Sequence, residues 1–273
     1  MFSFPYKFKG NLTEKQVFSI FILYICKTTL RGSQETEKAD MEQHKQSVRI
    51  QKSIVNAAEK KLLVWLAERQ PAWMTSDRMT FIGFLGAVVI ALGYTLTNYH
   101  YTFLWLASLG FLINWYGDSL DGTLARVRHH QRPVYGFFID HNVDCINESI
   151  MFVGVGLSPF VKLDIALLVL AAYLVLSIYV YINAHLKNEF KLTFAKMGPT
   201  EFRIIMILVN TLFIFIRPLR EFRQDITLFG HSVQLGILDY IAVVILLFMV
   251  IIYLTSLFKD AREYARIDPL DKE

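Results

Sequence analysis

Two stretches decide how this chain is read: Asp118-Ser-Leu-Asp121-Gly122-Thr-Leu-Ala125-Arg126 and Gly136-Phe-Phe-Ile-Asp140-His-Asn-Val-Asp144. Their four carboxylates stand at the ends of two apolar runs long enough to cross a membrane. Ionised side chains at membrane depth are costly, which makes them functional candidates. At about 100° per residue, Asp118, Asp121, Gly122 and Ala125 share one helical face. Gly136, Asp140 and Asp144 share another at i, i+4 intervals. Two acidic stripes facing each other form a cage of hard oxygen ligands suited to Mg²⁺ or Mn²⁺. The small residues beside them leave room for a ligand, and Arg126 offers an anion clamp one turn away.

Outside these stretches the composition sets the class. Of 273 residues, 54% are hydrophobic, and the mean hydropathy is +0.37. The apolar residues run in blocks and do not alternate with polar ones, which predicts an all-α polytopic membrane protein. The net charge of +4 comes mostly from Lys and Arg outside those blocks, with no separate basic domain, and this argues against nucleic-acid binding. Cys26 and Cys145 are too few for a disulfide framework and have no zinc-site spacing.

Taken in order, residues 1–50 read as a polar, flexible N-terminal segment. Within it, Val17 to Cys26 is an apolar run too short to span a bilayer, and Met41 is an alternative start of translation. Residues 51–71 predict an amphipathic interfacial helix, with Val55, Ala58, Leu62, Trp65 and Leu66 on one face and Trp65 and Trp73 as belt residues. Pro71 ends it. Residues 72–273 then hold six expected transmembrane helices, over about 80–96, 102–120, 136–157, 165–182, 202–216 and 237–258.

The acidic pattern resembles the signature of the CDP-alcohol phosphotransferase (CDP-alcohol phosphatidyltransferase) family: D-x-x-D-G-x-x-A-R, a spacer, then G-x-x-x-D-x-x-x-D. All eight fixed residues are present, with a nine-residue spacer slightly longer than is usual in the family. The resemblance implies a six-helix membrane enzyme of phospholipid synthesis that works as a homodimer. It implies that Asp118, Asp121, Asp140 and Asp144 hold two Mg²⁺ or Mn²⁺ ions and that Asp144 is also the general base. Gly122, Ala125, Arg126 and Gly136 would then cradle the CDP donor. Asp77 and Thr80 match part of a Pro-Asn/Asp-x-x-Thr element that contacts the nucleotide, with Ser76 in place of the proline. An N-cap by Ser76 or Asp77 explains the same letters. The reaction implied is attack by an alcohol on the lipid-side phosphorus of a CDP-linked lipid, releasing CMP.

The acceptor is less determined. Chain length and span number favour CDP-diacylglycerol as donor with a polar acceptor such as glycerol phosphate, inositol phosphate or serine. Arg132, Lys196 and Arg203, with Lys187, Lys191 and Arg128 nearby, are the candidates to bind an acceptor phosphate. His141 produces Asp-His-x-x-Asp, similar to the aminoalcohol branch, which moves phosphocholine or phosphoethanolamine to diacylglycerol. Glu148 extends the acidic stripe by one turn, and Asn114 precedes Asp118 by one. A cation transporter is the alternative of another class, although its acids are expected near mid-span. The positive-inside rule places the acidic ends at the cytoplasmic face. Arg217, Arg220 and Arg223 fall on the opposite side and conflict with that assignment.

Overall fold

A computed structural model describes residues 48–49, 56–187, 189–190, 198–228 and 231–269. These residues belong to one compact unit, Ser47–Glu273. The expectations for residues 1–47, including the apolar run at Val17 and the start at Met41, lie outside the described residues. So do Lys191 and Lys196.

A helix stands at each of the six expected places. They are α2 (Ser76–Leu96), α3 (Leu104–Val127), α4 (Pro133–Gly156), α5 (Leu163–Lys187), α6 (Pro199–Phe215) and α8 (Ile237–Ile267). Three of them, α2, α5 over Leu163–Ala184 and α8, are long and apolar enough to cross a membrane. α3 and α4 carry the acids, and α6 has 17 residues. At 1.5 Å per residue α6 measures about 25 Å, short of a hydrocarbon core of about 30 Å.

The smaller elements are α1 (Asn56–Glu68), the short α7 (Arg217–Glu221), a two-residue parallel pairing of Val48–Arg49 (β1) with Glu189–Phe190 (β2), and a hairpin. The hairpin joins Arg223–Leu228 (β3) to His231–Gly236 (β4) in antiparallel register, ahead of α8. α3 is central: α1, α2 and α6 pack against it, α4 lies on α2, α5 lies on α4, and α8 lies on α5.

Local sequence explains where the helices begin. Thr75, one residue before the expected cap, accepts a bond from the Arg78 nitrogen. Ser76 is thereby free to donate to the Asp121 carbonyl at 2.9 Å. Pro133 and Pro199 open α4 and α6 at positions where a missing N–H costs nothing. Glu201 accepts from the Gly198 nitrogen at 2.9 Å and caps α6.

Glycines set the distance between α2 and α3. A Cβ on Gly86 would lie 2.3 Å from the Asn114 nitrogen, and one on Gly117 would lie 2.1 Å from the Gly83 nitrogen. The two backbones therefore touch, as small residues allow in membrane helix pairs. Further along, Tyr94 donates to Asn210 Oδ1 at 2.8 Å, and Asn210 Nδ2 donates to Ser108 at 3.2 Å. This buried network ties α2, α3 and α6 where no water competes.

α1 presents two faces. Leu62 and Trp65, on the stripe read from the sequence, are exposed, while Leu63 and Ala67 pack with Leu120, Leu124 and Met79. Leu66, from the stripe read in the sequence, packs beside them, whereas the apolar periodicity did not single out Leu63 and Ala67.

The three arginines of the far loop are committed locally. Arg220 Nη1 donates to the Phe213 and Ile214 carbonyls at 3.0 Å, capping α6, and its guanidinium lies 3.7 Å from the Tyr101 ring centre. Arg223 donates to the Pro159 carbonyl at 2.7 Å, and Arg217 pairs with Glu221. Buried Asp239 accepts from the nitrogens of Lys162 at 2.7 Å and Gly236 at 2.8 Å. Two of the three charges that conflicted with the topology assignment, Arg220 and Arg223, therefore fasten one end of the bundle.

Two outcomes follow from this packing. Gly86→Ala forces backbones apart and is expected to cost about 1–3 kcal/mol or more, read as a lowered thermal midpoint in detergent. Arg220→Ala leaves two carbonyls of α6 uncapped and is expected to cost about 1–2 kcal/mol. A midpoint within experimental error of the parent would contradict the spacer role of Gly86 or the capping role of Arg220, respectively.

Candidate active site

Three of the four motif carboxylates meet. Ligand oxygens of Asp118 on α3 and of Asp140 and Asp144 on α4 all lie within 4.8 Å of one another. The spacing in sequence does this: Asp140 and Asp144 are one turn apart on α4, and Asp118 faces them from α3.

Asp121 is placed differently. It is 9% exposed, its Oδ2 accepts from Thr80 at 2.7 Å, and its Oδ1 accepts from the Gly122 nitrogen. It remains within range of the Asp118 and Asp140 charges. Thr80, matched in the sequence to a nucleotide-contacting element, thus serves as a partner of Asp121.

A fixed arginine borders the carboxylates. Arg203 on α6 donates through Nη2 to Asp118 Oδ2 and through Nε to Asn114 Oδ1 at 3.0 Å. Buried Asn114 in turn donates to the Gly83 carbonyl at 2.9 Å. The guanidinium is therefore oriented by a side chain that is itself bonded to the backbone of α2. Glu148, one turn beyond Asp144, lies beside Tyr173 of α5 and within range of Asp118 and Arg203.

The remaining candidates surround this centre. A Cβ on Gly122 would meet only Arg126 Nη1, at 3.5 Å, and one on Gly136 would meet nothing within 4 Å, so the ground beside both is open. Ala125 is partly buried, and exposed Arg126 donates to Thr123 at 2.9 Å. Asp77 pairs with Arg132 at 3.7 Å, both well exposed, and Arg132 stacks on Tyr135. Arg128 bonds the carbonyls of Gln70, Pro71 and Met74, which pins the α3–α4 connection to the start of α2. In that connection His129 adopts a left-handed conformation at φ 55°. His141 stacks on Phe137 and lies 3.9 Å from Asp140.

Three convergent carboxylates are hard oxygen donors, and the donor set fits Mg²⁺ or Mn²⁺. Sequence reasoning did not find the Arg203–Asn114–Asp118 arrangement. Its signal was a lone arginine in the first turn of an otherwise apolar helix, which invites a search for an intramembrane partner.

Comparison with known proteins shows the family. The model of the CDP-alcohol phosphatidyltransferase family matches residues 71–259, and the chain belongs to that family. It is 38% identical over 88 residues to the phosphatidylinositol phosphate synthase of Cutibacterium acnes, covering 32% of this chain and 39% of that protein. It is 29% identical over 139 residues to the archaetidylinositol phosphate synthase of Methanothermobacter thermautotrophicus, covering 51% of this chain and 67% of that protein. The match to the first thus spans well under half of its length. The family is one of CDP-alcohol phosphatidyltransferases, and three helices of this chain are long and apolar enough to cross a membrane.

Removal of one carboxylate tests the donor set directly. Asp118→Asn and Asp140→Asn are each expected to weaken Mn²⁺ binding about tenfold or more, measured by electron paramagnetic resonance of the free ion. Affinity equal to the parent in both would remove the metal assignment.

Proposed function

We propose that this chain transfers the phosphatidyl group of CDP-diacylglycerol to a hydroxyl of a phosphorylated polyol, inositol phosphate in the first instance, releasing CMP. The observation that carries the reading is the convergence of Asp118, Asp140 and Asp144 beside an ordered Arg203. The names of the two relatives support inositol phosphate as the acceptor.

Asp118, Asp140 and Asp144, with Asp121 as the fourth carboxylate, hold two divalent ions in this reading. The charge these residues would hold there would neutralise the diphosphate and stabilise the leaving phosphate. Gly122, Ala125 and Gly136 leave space for the CDP moiety, and Arg126 reaches it as an anion partner. Asp77 and Thr80 border the nucleotide end. Arg203, Arg132 and Lys196 bind the acceptor phosphate in the same reading.

Asp144 takes the proton from the acceptor hydroxyl. The oxygen forms a bond to the lipid-side phosphorus, the bond from that phosphorus to the bridging oxygen breaks, and CMP leaves with the electron pair. Six spans, an active site at the cytoplasmic face and a homodimeric assembly complete the proposal. α1 lies in the membrane interface with exposed Leu62 and Trp65 toward lipid.

One sequence feature favours a second acceptor class: His141 gives Asp-His-x-x-Asp, similar to the aminoalcohol branch. A single assay separates the readings. Purified protein with Mg²⁺ or Mn²⁺ and CDP-diacylglycerol is expected to release CMP with inositol phosphate, more than with glycerol 3-phosphate, inositol or serine. Release only with CDP-choline or CDP-ethanolamine and diacylglycerol would replace the reading with the second. Nucleotide-independent cation flux lost in Asp140→Asn would replace it with a transporter. Within the first reading, Asp144→Asn is expected to lower kcat by about 10²–10⁴-fold while donor affinity stays close to that of the parent.

A further inference from the structure

We propose that Glu59 is a positioning residue that holds Arg203 against the carboxylate cluster, from a part of the chain outside the family match. Glu59 lies on α1, ahead of residue 71 where that match begins. An acid in the first turn of a peripheral helix normally faces water. This one is partly buried, and its Oε1 accepts two bonds from other helices: Trp115 Nε1 of α3 at 2.8 Å and Thr200 Oγ1 of α6 at 2.6 Å.

Both donors stand next to the site. Trp115 follows Asn114 and precedes Asp118 by three residues, and Thr200 precedes Arg203 by three. Residues three apart sit on adjoining turns of one helical face. A single carboxylate oxygen therefore fastens α3 and α6 one turn from each end of the Arg203–Asp118 pair.

α6 needs this fastening at its first turn. Its buried side chains, Asn210 and Phe213, lie in its second half. Met206 and Ile207 add apolar contact from its middle, and the stretch 199–203 is fixed by polar bonds, those of Thr200 to Glu59 and of Arg203 to Asn114 and Asp118. Bonds to a charged acceptor are the stronger kind, and both formed by Glu59 are of that kind. Removing them loosens the turn that aims Arg203 and leaves the far end of α6 in place.

The kinetic part of the test rests on the function proposed above, and hydrogen exchange is independent of it. In full-length protein, Glu59→Ala is expected to speed exchange in amides 202–205, the first to be bonded within the helix, and leave amides 207–215 unchanged. With inositol phosphate as the varied substrate, Glu59→Ala is expected to raise KM about tenfold, with the KM for CDP-diacylglycerol within about twofold. Glu59→Gln keeps a carbonyl oxygen at the same place and is expected to recover most of the loss. Thr200→Val removes one of the two bonds and provides the same comparison should Glu59→Ala fail to fold.

In an Arg203→Ala background the Glu59→Ala change is expected to add little, because the group it positions is gone. Unchanged exchange at 202–205 would overturn the proposal whatever the acceptor. An effect on kcat/KM of equal size with and without Arg203 would overturn it as well. No CMP release by the parent protein with any acceptor would overturn the function proposed above, leaving the exchange result to decide the role of Glu59.

Discussion

The backbone contact between α2 and α3 is the constraint on which the site depends. Glycines at 86 and 117 bring the two helices to a separation that no Cβ permits, and Gly83 leaves its own Cβ position only 3.1 Å from the Asp118 nitrogen. Lipid tails are as apolar as leucine, so helices in a bilayer gain little from burying apolar surface against each other. Close approach replaces that missing drive with dispersion contacts and backbone–backbone proximity. It also puts the Gly83 carbonyl within reach of Asn114, which orients Arg203. The same approach sets Thr80 on Asp121 and Ser76 on the Asp121 carbonyl. A structural contact and a chemical site are thus built from one pair of helix faces.

At the opposite end of the bundle charge serves a different purpose. Arg220 and Arg223 donate to carbonyls at the end of α6 and in the α4–α5 connection, and Asp239 accepts from nitrogens at two further element ends. Helix termini carry backbone groups with no partner inside the helix, and near a membrane water is not always there to satisfy them. Counting positive charges for topology treats each Lys and Arg alike. A guanidinium bonded to carbonyls is held by the fold, so the count at that loop overstates what is free to set orientation.

Much of the architecture was legible in the sequence because it rests on periodicity. The positions of all six long helices follow from apolar runs and their polar breaks, and the meeting of Asp118 with Asp140 and Asp144 follows from i, i+4 spacing. What escaped the reading depends on which elements become neighbours. Asp121 shares a face with Asp118, yet its side chain turns to Thr80, a partner 41 residues away that no local pattern announces. Leu63 and Ala67 escaped because α1 has apolar residues on two adjoining stripes, and only tertiary contact selects between them. The capping roles of Arg220 and Arg223 were hidden for the same reason, since they serve carbonyls of other segments. The partition into segments at residues 50 and 71 rests on composition alone.

The Arg203–Asp118 pair bears on how the protein is made. Three carboxylates within 4.8 Å repel one another, and a site of that kind commonly depends on its ion to hold together. Here a guanidinium already stands against one of them as an internal counter-charge, fixed by Asn114. The helices can therefore assemble during insertion without waiting for a cation. Under the proposed function, loading would be an exchange of counter-ions in a finished scaffold, so biogenesis would be insulated from the cell's divalent-metal supply while turnover would not.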